Sequence, residues 1–234
     1  MNGNQAGHLE IVRNPACITE DFALAVATVI VSVDKAKLKV LLTRKNSLGS
    51  EGRWALPGGV VHLNEPLEQA ASRAVSLEFS GLSVKLRQFR TFGRVDRYPG
   101  KRLVTIAFYA LTGMRLFDSK EWRWFPFNNV PRLAIDHNKI VEKALGAVQR
   151  MAQREPIGED LLPDSFTMAE LQNLYEGVLQ RKLDPRSFQR QMWSLDLLIP
   201  LTGLDASAQS TKMRYTFNRS RYRWLQEHGL AAEF

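Results

Sequence analysis

Apolar positions follow two different rhythms along this chain, and the change between them divides it. In the first part they come as short β-branched runs. Residues 22–33 (FALAVATVIVSV) read as a buried strand, Asp34-Lys35-Ala36-Lys37 as a turn, and residues 38–43 (LKVLLT) as the returning strand. A loop over 44–53 carries Asn46, Ser47, Gly49, Ser50 and Gly52. Trp54 to Pro57 then lead into Gly58 and Gly59, where small residues allow close backbone approach. Asn64 is expected to cap the next helix, with Pro66 in its first turn, and that helix runs to about Ser80. Strands are expected at 84–93 and 103–112, joined by a loop over 94–102. A short apolar strand at 122–127 and a helix at 136–153 follow.

Residues 155–160 (EPIGED) resemble a linker, and beyond them the rhythm becomes helical. Thr167-x-x-Glu170 is a capping box. Leu171, Leu174, Tyr175, Val178 and Leu179 line one helix face. Asp184-Pro185 starts a second helix. On it Phe188, Met192 and Leu195 point one way, while Arg186, Gln189, Arg190 and Trp193 point the other. Residues 197–202, a small-polar loop at 203–211 and an alternating strand at 212–217 complete a helix, turn, helix and two-stranded hairpin. That is a winged helix-turn-helix layout. The pattern predicts two domains, residues 1–155 and 156–234.

Charge adds a partner class. The chain has 234 residues and a net charge of +8, which favours an anionic partner. Residues 1–155 hold 23 Lys and Arg against 14 Asp and Glu. Residues 156–234 hold 9 against 10, yet all nine cations fall within 181–223, beside three acids. A local excess inside one motif asks for more than solvation. No run of 18 apolar residues is present, so no membrane span is expected. The polar start lacks a secretory apolar core. The single cysteine, Cys17, has no internal disulfide partner, which fits a reducing cytoplasm.

Two constellations carry candidate chemistry. The helix beginning at Asp184 offers Arg186, Ser187, Gln189 and Arg190 near its start. Arginine reads guanine and glutamine reads adenine in the major groove. Lys182 just upstream, and Lys212, Arg214 and Tyr215 from the wing, are candidate phosphate contacts. The alternative is an amphipathic helix with a solvated basic face. The second constellation is residues 91–111 (TFGRVDRYPGKRLVTIAFYAL). Here Arg94, Asp96, Arg97, Lys101 and Arg102 surround a loop, and guanidinium groups suit the phosphates of a nucleotide diphosphate. Phe92 or Trp54 could stack on an adenine, although both residue types more often belong to a core. Arg44 and Arg53 complete the candidate ligand set. His137, in IDHNK, is either a polar contact or a helix-start residue.

Residues 54–82 (WALPGGVVHLNEPLEQAASRAVSLEFSGL) resemble a Nudix box, G-x5-E-x7-R-E-U-x-E-E-x-G-U, with U a bulky aliphatic. Gly59, Glu65 and Arg73 fall on the pattern. The three metal-binding carboxylate positions fall on Ala74, Leu77 and Glu78, which share one helix face. The pattern's glycine falls on Ser80, with Gly81 following. A register shifted by one places Val75, Glu78 and Phe79 there instead. Either register keeps one carboxylate, a vestigial Glu78, where Mg2+ needs concentrated oxygen ligands.

Residues 22–153 look like a Nudix domain of the ADP-ribose pyrophosphatase type, through GRWALPGG, TFGRVDRYPGKR and IDHNKI. Residues 163–224 resemble the DNA-binding part of the NrtR-like Nudix-related transcriptional regulators, through SFTMAELQNLYEGVL and LDPRSFQRQMWSLDLL. The fold class so implied is α+β: an N-terminal Nudix α/β/α sandwich with a mixed sheet, then a winged helix-turn-helix. The resemblance implies a cytoplasmic homodimeric repressor on double-stranded operator DNA. It would be released by a nucleotide such as ADP-ribose or by a sugar-related effector, with no cofactor and no catalysis. The usual Gly-Arg-Pro-rich wing tip is replaced here by Ala208-Gln209-Ser210-Thr211-Lys212. Two other readings stay open. One is an active hydrolase recruiting metal through Glu78 and an outside acid such as Glu121. The other is an RNA-binding or protein-docking module.

Overall fold

The computed structural model describes residues 22–44, 52–113, 118–201 and 213–229. The loop over 44–53 is therefore seen only at its ends, and Cys17, Lys212 and the wing tip lie outside the described residues.

The long hydrophobic run forms β1 (Phe22–Asp34), which turns back into β2 (Lys37–Arg44). The expected turn is there, with Asp34 paired to Lys37 and both Lys35 and Ala36 left-handed, at φ 46° and 61°. Two left-handed central residues match the twist of a tight hairpin. β3 (Trp54–Ala55) pairs with β2, and β4 (Gly58–Val60) with β1. β5 (Arg87–Phe92) and β6 (Arg102–Leu111) enclose the basic loop, and β7 (Trp122–Pro126) adds to β2. Among the described residues these make one seven-stranded sheet, with order β3-β2-β1-β6-β5 along its main path. β1 and β6 run parallel, from Phe22 opposite Arg102 to Val31 opposite Leu111, while the other pairs run antiparallel.

Strand alternation explains the layers. Val26 and Ile30 of β1 pack toward α1 (Leu67–Glu78), with Ala70, Ala71, Ala74 and Val75. Ala27, Val29 and Val31 face the other side and meet Ile140, Ala144 and Val148 of α2 (His137–Arg154). A period of two sends successive side chains to opposite faces, and both faces are covered. The result is an α/β/α sandwich with a mixed sheet.

One helix start differs from expectation. α1 begins at Leu67, its N-cap is Pro66, and Asn64 makes no cap. The acid before the proline takes the organising role instead, as described below.

The second part contains β8 (Phe166–Thr167), α3 (Met168–Leu179), α4 (Pro185–Ser194), β9 (Leu198–Pro200), β10 (Arg214–Phe217) and α5 (Arg219–His228). The Thr167–Glu170 capping box closes in both directions, and the Asp184 carboxylate accepts from the Ser187 N–H. Among the described residues the sheet has three strands, in order β8-β10-β9, rather than the expected two. α5 was not expected at all. Its signals are Asn218, whose side chain accepts from the Arg221 N–H, and the buried pair Tyr222 and Leu225.

The linker-like stretch is packed. Pro156, Ile157 and Gly158 are buried. The Tyr222 hydroxyl donates to the Pro156 carbonyl at 2.9 Å, and the Tyr175 hydroxyl accepts from the Ile157 N–H at 3.3 Å. α3 also rests on the β1–β2 hairpin. A Cβ on Gly177 would lie 2.7 Å from Val33 Cγ1 and 3.0 Å from the Ala36 carbonyl carbon. One continuous core cluster joins Val29 and Val148 to Tyr175, Phe188 and Tyr222.

Candidate functional site

The loop before α1 is organised by Glu65 and Arg73. Arg73 Nε donates to Glu65 Oε1 at 2.6 Å, and one of its terminal nitrogens reaches both Glu65 Oε2 and the Val60 carbonyl. The His62 N–H also donates to Glu65. The Arg73 hydrogen bond, helped by that N–H against partial desolvation, holds the carboxyl at about 2. A charge-assisted fork of this kind fixes both groups. It pins the Gly58–Val60 strand to the helix that follows.

Gly58 and Gly59 line a cleft of about 450 Å3, together with Val26, Val60, Tyr98, Lys101, Leu103, Thr105, Ile135 and His137. Gly58 has no room for a side chain, since a Cβ would lie 2.4 Å from the Val26 carbonyl oxygen. The walls are mostly apolar, with a few convergent polar groups, which is the usual make-up of a small-molecule site.

The structure redistributes the expected ligand residues. None of Arg44, Arg53, Trp54, Phe92, Arg94, Asp96, Arg97 or Arg102 lines this cleft. Arg97 is a correction. Its side chain is buried and donates to both Asp136 oxygens, to the Phe92 carbonyl and to Thr105 Oγ1, so it braces the site from behind. Arg94 and Asp96 pair with each other on the surface. Arg102 donates to the Gly93 carbonyl. Trp54 packs edge-on against Phe125, with the Arg44 guanidinium 5.7 Å from its ring centroid. Arg53 is exposed. Lys101 and His137, weighed in the sequence, do line the cleft. Tyr98 was missed, although it sits inside the quoted loop motif.

A second cavity, of about 500 Å3, lies between Lys37 of the hairpin and Glu176, Arg181 and Lys182 at the end of α3. It is of similar size, but it contains none of the glycine-rich turn or basic-loop residues. The first cleft is therefore the candidate ligand site.

On α4, Arg186, Ser187, Gln189 and Arg190 are exposed, while Phe188 and Met192 are buried. Lys182 pairs with Glu176 at 2.7 Å but keeps most of its surface in solvent. Arg214 is exposed and bonds Ser165. Tyr215 is a correction: it is buried, and its ring meets Trp193 edge-on at 5.5 Å. As the residue opposite Phe166 in β10 it faces the core rather than a ligand.

Residues 22–144 match the NUDIX domain. The chain belongs to the Nudix family. Residues 158–217 match the NrtR DNA-binding winged helix domain, so a second family module follows the Nudix domain. The ADPR responsive transcriptional repressor NtrR of Acinetobacter baylyi is 29% identical over 178 residues, which is 72% of this chain and 71% of that protein. The ADP-ribose pyrophosphatase of Methanocaldococcus jannaschii is 35% identical over 44% of this chain and 64% of the enzyme. The crystal structure of Shewanella oneidensis NrtR complexed with a 27mer DNA superposes with a TM-score of 0.73 at 26% identity. It covers 86% of this chain and 95% of that one.

The Nudix helix does not fit a divalent metal. Ala74 is buried, Leu77 is 76% exposed, and neither supplies oxygen. Glu78 accepts a hydrogen bond from the Thr43 hydroxyl at 2.7 Å. Among the described residues, no group of three His, Cys, Asp or Glu is placed to hold a metal ion. Mg2+ requires several oxygen ligands in near-octahedral order, and one carboxylate tied to a threonine does not provide them. Among the same residues, no helix is long and apolar enough to cross a membrane.

Proposed function

We propose that this Nudix protein is a ligand-responsive transcriptional repressor. It binds duplex operator DNA through α4, as a homodimer in the cytoplasm, and is released when ADP-ribose or a related nucleotide fills the Nudix cleft. The observation that carries this reading is the polarity of α4. Its first turns present Arg186, Ser187, Gln189 and Arg190 to solvent, while Phe188 and Met192 anchor it. Recognition helices enter the major groove with their N-terminal residues on base edges, and Lys182 and Arg214 flank them as phosphate contacts. The likeness to a repressor described as ADPR responsive, and to a regulator solved on DNA, supports both halves of the reading.

The cleft binds without hydrolysing. Metal-assisted attack on a pyrophosphate needs ions that generate the nucleophile and stabilise developing charge, and this box keeps one carboxylate of three. The test of the DNA half is competition between a selected duplex and a random one. Arg186→Ala lowers specific affinity by about 10- to 100-fold, in line with the loss of one bidentate base contact, and leaves nucleotide binding unchanged. Equal loss of both activities points to misfolding and removes the support.

A further inference from the structure

Ile135 has φ of +54°, a left-handed conformation, and the residue is 38% exposed on the wall of the cleft. A β-branched residue rarely adopts that region, because its Cβ substituents crowd the backbone there. Each neighbour is locked in place. The Ala134 N–H donates to the Trp54 carbonyl at 3.0 Å. Asp136 is gripped through both oxygens by the buried Arg97. His137 Nδ1 accepts from the Leu56 N–H at 3.1 Å. That last bond sets the tautomer: Nδ1 is the acceptor, so the neutral ring carries its proton on Nε2. Four consecutive residues are thus held from three directions, with a strained apolar side chain and an imidazole on one cleft wall.

We infer that the Ala134–His137 corner determines ligand specificity, with Ile135 packing on the flat face of a nucleotide base and the His137 contact to Leu56 holding the corner in place. Strain of this kind persists where the surroundings over-determine it, and it concentrates at ligand clamps. The buried Arg97–Asp136 pair supplies that over-determination without touching ligand, which makes Arg97 a positioning residue. The inference rests on the cleft being the effector site.

Ile135→Gly in the full-length protein separates a ligand role from a structural one. Glycine accepts positive φ without strain, so the thermal midpoint is unchanged or higher. The dissociation constant for ADP-ribose, measured by calorimetry, rises by about tenfold or more through the lost apolar contact. Ile135→Asn, which also tolerates the left-handed region, behaves the same way. Unchanged ADP-ribose affinity in both Ile135 variants overturns the inference and leaves the repressor reading standing. No ADP-ribose binding by the unmodified protein overturns both the inference and the effector reading beneath it.

Discussion

Gly177 of the winged helix sits against Ala36 at the tip of the Nudix hairpin, so closely that a Cβ would come within 3.0 Å of the Ala36 carbonyl carbon. Contact at that distance needs glycine on one side and a tight turn on the other, and both are present. The same β1 strand lines the candidate ligand cleft with Ala23, Ala25, Val26 and Ala27 and meets α3 near its other end, at Val33. A ligand that binds one arrangement of β1 better than another would bias the position of the DNA-binding helices, as differential affinity requires.

Gly177→Ala tests that contact. Helix propensity alone would stabilise the protein by about 1 kcal/mol. Overpacking against the hairpin costs about 1–3 kcal/mol. The expected outcome is a net loss of about 1 kcal/mol in urea unfolding, larger for Gly177→Val. A gain of the full propensity value would show that the hairpin does not rest there.

The Arg97–Asp136 pair predicts a different pattern. Removing one member of a buried pair strands the other, at a cost of about 3–5 kcal/mol. Arg97→Met should lose that much in denaturant unfolding, and Arg97→Met with Asp136→Leu should recover part of it. Additive losses in the double variant would contradict the pairing.

Acid stability follows from Glu65. Arg73 holds its carboxyl at about 2, below the ordinary 4.5. A depressed carboxylate contributes stability that is complete above about pH 4.5 and is lost as pH falls toward 2. Glu65→Gln should therefore destabilise the protein near neutrality and flatten its stability profile between those values. An identical profile in the variant would mean that the Arg73 fork contributes nothing.

Much of the fold was legible in the sequence because its signals are local. The β1–β2 hairpin, the Thr167–Glu170 box and the Asp184 cap are written in consecutive residues. The third strand of the wing sheet was not, because Phe166 and Thr167 gain their meaning only opposite Tyr215 and Arg214. α5 was passed over because among described residues only Tyr222 and Leu225 on it are buried, too few to show a period. The candidate ligand site was the least legible part. Arginines in a loop suggest phosphate, but Arg97 is spent on Asp136, 39 residues away. Tyr215 suggested DNA by lying among basic residues, yet strand alternation turns it inward. His137, ambiguous in sequence, is fixed by Leu56, 81 residues away.

The apolar residues at two of the three carboxylate positions of the Nudix box carry their own expectation. With Mg2+ and ADP-ribose, AMP should form no faster than without protein, and Glu78→Gln should not change that background. Mg2+-dependent AMP release abolished by Glu78→Gln would restore the hydrolase reading.

The most direct measurement is fluorescence anisotropy of the full-length protein on a duplex selected for tight binding, titrated with and without ADP-ribose at fixed salt. Fixed salt matters because phosphate contacts make affinity fall steeply with ionic strength. The account predicts specific binding that weakens at least about tenfold on saturation with ADP-ribose, a coupling of about 1.4 kcal/mol. Specific binding indifferent to ADP-ribose and to related nucleotides, or no preference for the selected duplex over a random one, would contradict it.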